Sequence, residues 1–233
     1  MNSIPVLLLH GALGSSVQLH PLQRALELTG RKVFVMNFSG HSGAPFSLNG
    51  FGIEVFADDV LQFLEKHDLH RVDVVGYSMG GYVALWFAFQ FPKFVGRIIT
   101  LGTKFDWTPE SARQEVARLD SEKILLKVPA FARLLEHRHA PNSWKELLSL
   151  TGEMMLHLGT SPLLTEEILK KIQHPVLVCL GDLDDMADRT YSEAVANLLP
   201  HGQFLLLNAT PHPLEKVDLQ GWVDIVHRYF SGE

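Results

Sequence analysis

Short, uninterrupted apolar runs recur along this chain, and longer amphipathic segments separate them. Residues 6–9, 32–38, 72–75, 97–101, 176–180 and 203–207 are rich in Val, Leu, Ile and Phe without strict polar alternation. Strands of that kind are covered on both faces, as in a parallel sheet flanked by helices. The segments between them carry helical spacing: in residues 53–67, Ile53, Phe56, Val60, Phe63 and Leu64 share one stripe. Residues 17–28 end near Gly30, residues 81–90 close on Phe91-Pro92, and helices are expected again over 190–199 and 214–230. This alternation predicts an α/β fold. Its mostly parallel sheet has about six strands, with helices on both faces and right-handed crossovers.

The rhythm breaks once. Residues 104–171 hold no convincing strand, and Thr108-Pro109-Glu110 reads as an N-cap followed by Pro at the first helical position. Trp107, Ile124, Leu135, Trp144, Leu148 and Met154 make the segment strongly apolar. We read it as a helical lid or cap inserted into a single domain whose core is residues 1–103 and 172–233. At 233 residues the chain can bury roughly 70–75% of its unfolded surface, so neither disulfides nor metals are needed to hold it.

The charge balance, 20 Lys+Arg against 26 Asp+Glu, offers no basic surface for nucleic acid. The one cysteine, Cys179, excludes an internal disulfide and a cysteine-based zinc site, and its apolar run marks it as a small buried hydrophobe. Residues 4–9 are too short to span a bilayer and lack a basic leader, so a soluble cytoplasmic protein without membrane contact is expected.

Gly76-Tyr77-Ser78-Met79-Gly80 is a G-x-S-x-G sequence, set between the strand at 72–75 and the helix at 81–90. That context is what its chemistry requires. A serine on a tight strand-to-helix turn projects its hydroxyl beyond the carboxyl edge of the sheet, and small neighbours let strand and helix approach. Such a nucleophile needs a base and an orienting acid. Of 12 histidines, His212 directly follows the last strand, where ligand-facing residues gather, whereas His201 precedes it and His137, His139 and His157 fall in the insertion. Asp184 is the preferred acid after the preceding strand, with Asp182 and Asp185 as alternates. The backbone N–H groups of Ala12 and Met79 are the candidate oxyanion donors, Leu13 being the alternate to Ala12. His10 is expected to support that turn by hydrogen bonding.

The segment His10-Gly11-Ala12-Leu13-Gly14, the elbow at 76–81, Gly181-Asp182-Leu183-Asp184 and His212 together resemble the α/β-hydrolase fold superfamily, over nearly the whole chain. In that superfamily the acid commonly stands three residues after such a glycine, which favours Asp184. Asn37-Phe38-Ser39-Gly40-His41-Ser42-Gly43 is similar to a loop that usually carries an aspartate and an arginine, and both are absent here. The resemblance implies a serine hydrolase with no cofactor and no metal, and the apolar bias of residues 104–171 points to a small, uncharged, partly hydrophobic ester. Thioester, lactone or C–C cleavage, acyl transfer, and a non-catalytic ligand-binding relative are the competing readings.

Overall fold

The computed structural model describes residues 4–232. In chain order it runs β1 (Val6–Leu9), α1 (Ser16–Glu27), β2 (Val33–Val35), α2 (Ile53–Lys66), β3 (Val72–Tyr77), α3 (Met79–Gln90) and β4 (Val95–Leu101). Five helices follow: α4 (Pro109–Val116), α5 (Ser121–Lys127), α6 (Pro129–His139), α7 (Trp144–Thr160) and α8 (Glu166–Leu169). The chain then returns as β5 (Val176–Leu183), α9 (Arg189–Leu198), β6 (Gly202–Pro211) and α10 (Leu219–Ser231). All strand pairs are parallel, in the order β2-β1-β3-β4-β5-β6.

Alternation within β1 shows how the layers form. Val6 and Leu8 pack with Leu19, Leu22 and Leu26 of α1 and Trp222, Val223 and Val226 of α10. Leu7 and Leu9 face the opposite way, onto Phe56, Val60 and Leu64 of α2 and Val83, Leu85 and Phe87 of α3. Helix α3 is apolar all round because it lies inside the molecule. Since β1 pairs with β2 on one side and β3 on the other, the connections diverge between β1 and β3. Such a divergence opens a crevice beyond the carboxyl ends of those two strands.

Several expected bounds change; β3 runs on to Tyr77, β4 starts at Val95, and β5 runs on to Leu183, which places Asp182 inside the strand. Residues 32–38 shrink to a three-residue edge strand, Val33–Val35. Phe38 N–H, which a longer strand would give to β1, goes instead to His10 Nε2 at 3.3 Å. Strand β6 extends to Pro211, so His212 lies immediately past its end. The helix expected over 214–230 splits into a 3-10 turn (Leu214–Lys216) and α10, because the Asp218 side chain accepts from Gly221 N–H and starts a new helix. The N-cap at Thr108 is present, its hydroxyl accepting from Ser111 N–H at 3.1 Å. Helices α5, α6 and α7 share a small core of Ile124, Ala132, Leu135, Trp144, Leu147 and Leu148, which also takes in Leu13.

Candidate active site

Ser78 sits between β3 and α3 at φ 51° and ψ −120°. An L-residue there carries strain of order 1–3 kcal/mol. Three hydrogen bonds hold it: Ser78 N–H to Leu101 O (2.8 Å), Gly81 N–H to Ser78 O (3.0 Å) and the Thr103 hydroxyl to Ser78 O (3.0 Å). A Cβ at Gly80 would stand 2.5 Å from Leu9 O and 2.7 Å from His10 O, so only glycine lets α3 start this close to β1.

His212 Nδ1–H donates to Asp184 Oδ2 at 2.8 Å. The other oxygen, Oδ1, accepts from the N–H groups of Met186 (2.9 Å) and Ala187 (3.0 Å). Burial pushes the Asp184 carboxyl upward, but the bond and charge of His212 and those two N–H groups outweigh it and hold the pKa below its usual value. Tyr77 fixes the histidine from behind, its hydroxyl donating to His212 O at 2.9 Å. Asp182 instead accepts from Thr210 N–H (3.1 Å), and Asp185 is exposed. Of the three aspartates at the end of β5, Asp182 inside the strand and Asp184 and Asp185 beyond it, Asp184 is thus the one bonded to the imidazole.

Ser78, Met79, Ala12 and His212 line one cavity, of about 490 Å³ counting its open mouth. Ile53, Tyr82, Trp107, Met154, Met155, Leu158 and Met186 make most of its wall apolar, and Lys104 and Glu115 add a charged edge. Trp107, Glu115, Met154, Met155 and Leu158 lie between β4 and β5, so the helices of that segment supply part of the cavity wall. The Ser78 hydroxyl and His212 Nε2 have no hydrogen-bond partner among the described residues. The same holds for the N–H groups of Ala12, Leu13 and Met79, the last opening the first turn of α3.

His10 supports the turn as expected: Nδ1–H donates to Gly11 O at 2.8 Å and Nε2 accepts from Phe38 N–H. Sequence reasoning missed Gly102, at φ +60°, where a Cβ would lie 2.9 Å from Asp184 Oδ2 and 3.2 Å from His212 Nδ1. It also missed Tyr77, Thr103 and a row of buried histidines. The His10 and His41 rings lie 4.9 Å apart and those of His41 and His139 5.7 Å apart. Burial pushes His10 and His139 down to about 4 and His41 well below its ordinary value. Cys179 is buried, and burial pushes its thiol up. His137 and His157 are exposed. No helix is long and apolar enough to cross a membrane among the described residues.

The fold has counterparts among known proteins. Over 97% of the chain and 80% of the relative, it is 25% identical to the sn-1-specific diacylglycerol lipase ABHD11 of Mus musculus. It is 28% identical to a protein named as a probable alcohol acetyltransferase from Cyberlindnera jadinii, over 61% of this chain. That match spans only 39% of the yeast protein, and the chain matches well under half of several such relatives. Among solved structures, a thermophilic esterase from Thermogutta terrifontis superimposes with a TM-score of 0.76 at 20% identity, covering 99% of this chain and 90% of that one. An enol-lactonase from Burkholderia xenovorans gives 0.75 at 18% identity, covering 100% and 93%. The family model described as the alpha/beta hydrolase fold matches residues 4–214, and the chain belongs to that family.

Proposed function

We propose that this chain is a serine hydrolase that cleaves a small, uncharged ester through an acyl-serine intermediate. The observation that carries the reading is the 2.8 Å bond from His212 to Asp184 at the wall of the cavity that Ser78 also lines. Ser78 is the nucleophile, His212 the base and Asp184 the group that holds the imidazole tautomer and stabilises the imidazolium. The Ser78 proton passes to His212 Nε2 as Oγ bonds to the ester carbonyl carbon. The N–H groups of Ala12 and Met79 take the oxyanion, each donor contributing roughly 3–4 kcal/mol. The imidazolium then protonates the departing alcohol as the C–O bond breaks. Water, deprotonated by His212, releases the acid and regenerates the serine. Residues 104–171 act as a lid that shapes an apolar acyl pocket, with Trp107, Met154 and Met155 meeting the acyl group.

A second reading, transfer of the acyl group to an alcohol rather than to water, is favoured by the similarity to proteins named as probable alcohol acetyltransferases. It uses the same intermediate and differs only in the acceptor.

Fluorophosphonate labelling and hydrolysis of p-nitrophenyl acetate test the proposal. Labelling should map to Ser78, and Ser78→Ala should lose at least about a thousandfold in rate with its far-UV circular dichroism unchanged. Hydrolysis by Ser78→Ala at the wild-type rate would overturn it. Adding ethanol or 1-butanol and measuring ester product against free acid separates the two acceptors.

A further inference from the structure

Leu13 adopts φ 56°, a conformation a leucine does not choose by itself. Its carbonyl accepts two hydrogen bonds from the end of α6, one from Arg138 Nη1 at 2.8 Å and one from His139 Nε2 at 3.0 Å. Sequence separates donor from acceptor by 125 and 126 positions, so the inserted helices reach back to hold the loop after β1. His139 is fully buried, and its other nitrogen, Nδ1, accepts from Ser42 N–H at 3.1 Å. An imidazole that accepts at Nδ1 and donates at Nε2 is neutral and fixed in one tautomer.

The clamp is transmitted through rigid peptide planes. Leu13 C=O and Gly14 N–H belong to one planar unit, so holding the carbonyl aims the N–H the opposite way. Gly14 N–H donates to Gly11 O at 3.0 Å, where His10 Nδ1–H also donates. Gly11 C=O shares its plane with Ala12 N–H, and two donors on that carbonyl therefore orient the N–H away from them. Ala12 lines the cavity beside Ser78.

We infer that His139, assisted by Arg138, is a positioning residue that sets the oxyanion donor through the Leu13 carbonyl. The inference rests on the hydrolase reading above. It makes the insertion part of the machinery that stabilises the transition state as well as a wall of the pocket. Without the clamp Leu13 relaxes toward negative φ, Gly14 turns, and Ala12 N–H loses its aim while the apolar wall that binds substrate stays in place.

The experiment compares wild type, His139→Phe, His139→Gln and Arg138→Met. Each is followed by p-nitrophenyl acetate kinetics, the inhibition constant of a trifluoromethyl ketone and the rate of fluorophosphonate labelling. His139→Phe keeps an aromatic ring and removes both hydrogen bonds. It should lower kcat and the labelling rate by at least about tenfold, leave KM within about twofold, and weaken the ketone by the factor lost in kcat/KM. His139→Gln, which can still donate to Leu13 O, should retain more activity than His139→Phe. Leu13→Gly in the His139→Phe protein should recover part of the lost rate, because glycine adopts positive φ without help. A purely structural role predicts a lower melting temperature with none of these kinetic signatures. Wild-type kcat and labelling in a folded His139→Phe protein would overturn the inference and leave the triad standing. If His139→Phe does not fold, Arg138→Met decides, since its side chain is only partly buried. A several-fold loss in kcat at constant KM supports the clamp, and no loss refutes it. A wild-type protein that hydrolyses no ester and labels nowhere ends the hydrolase reading, and this inference with it.

Discussion

Acid should destabilise this protein through its buried histidines, and one buried aspartate should mask part of the effect. His10 and His139 are almost fully buried and each is held at about 4. In the unfolded chain they titrate near 6.5. Between those values the unfolded state binds protons that the folded state refuses, so stability falls as the pH falls. From pH 7.5 to about pH 5 the difference is worth about 2 kcal/mol for His10 and at most as much for His139. His41, displaced in the same direction, adds to the loss. Asp73 works the other way. It is buried beside Arg97, whose N–H it accepts at 2.7 Å, and burial raises it from 3.8 to about 6. Below pH 6 the folded state takes its proton first, which returns about 1 kcal/mol by pH 5. Asp59, raised by burial, shares that sign. Asp184, held low, begins to matter only in stronger acid. Asp73→Asn keeps an oxygen for Arg97 N–H and removes the opposing titration. Urea unfolding followed by the fluorescence of the 4 tryptophans should show both proteins losing stability between the two pH values, with Asp73→Asn losing about 1 kcal/mol more than wild type. An unfolding free energy for Asp73→Asn that changes by less than about 1 kcal/mol across this range would mean that the histidines titrate as if exposed, and the burial argument would be wrong.

Gly102→Ala drives a methyl group to 2.9 Å from Asp184 Oδ2 at a φ of +60°. It should lower kcat for p-nitrophenyl acetate at least about tenfold and cost about 1–2 kcal/mol of stability, read by steady-state kinetics and urea unfolding. Leu135→Ala opens a hole in the core shared by α5, α6 and α7, where Leu135 has no exposed surface. A loss of about 2–5 kcal/mol is expected, with hydrogen exchange accelerating first in α5 and α6 rather than in the sheet.

What the sequence disclosed and what it withheld divide along a physical line. The elbow is legible because each of its small residues answers to a local demand. Gly80 must let a backbone pass, Ser78 must stand at positive φ, and both demands are met within a few positions of the chain. Asp184 and His212 are legible at longer range because strand ends are. Once β5 and β6 are recognised as neighbouring parallel strands, the residues just past them must meet at one edge of the sheet. Contacts that depend on a crossing of distant segments leave no such trace. Gly102 looks like any glycine after a strand until the His212–Asp184 pair is seen against its Cα, and Tyr77 looks like an ordinary elbow residue until its hydroxyl finds His212 O. His139 reads as one more basic residue near the end of α6. Its bonds to Leu13 and Ser42 form only because the loops after β1 and β2 both meet the end of α6. Burial drives polar groups to find partners, and Tyr77 and His139 find theirs on backbone atoms. A backbone partner can belong to any residue type, so neither side of such a contact carries a compositional signature. The same property gives the clamp its leverage: by gripping the Leu13 main-chain carbonyl rather than a side chain, α6 can fix the direction of an N–H two peptide planes away.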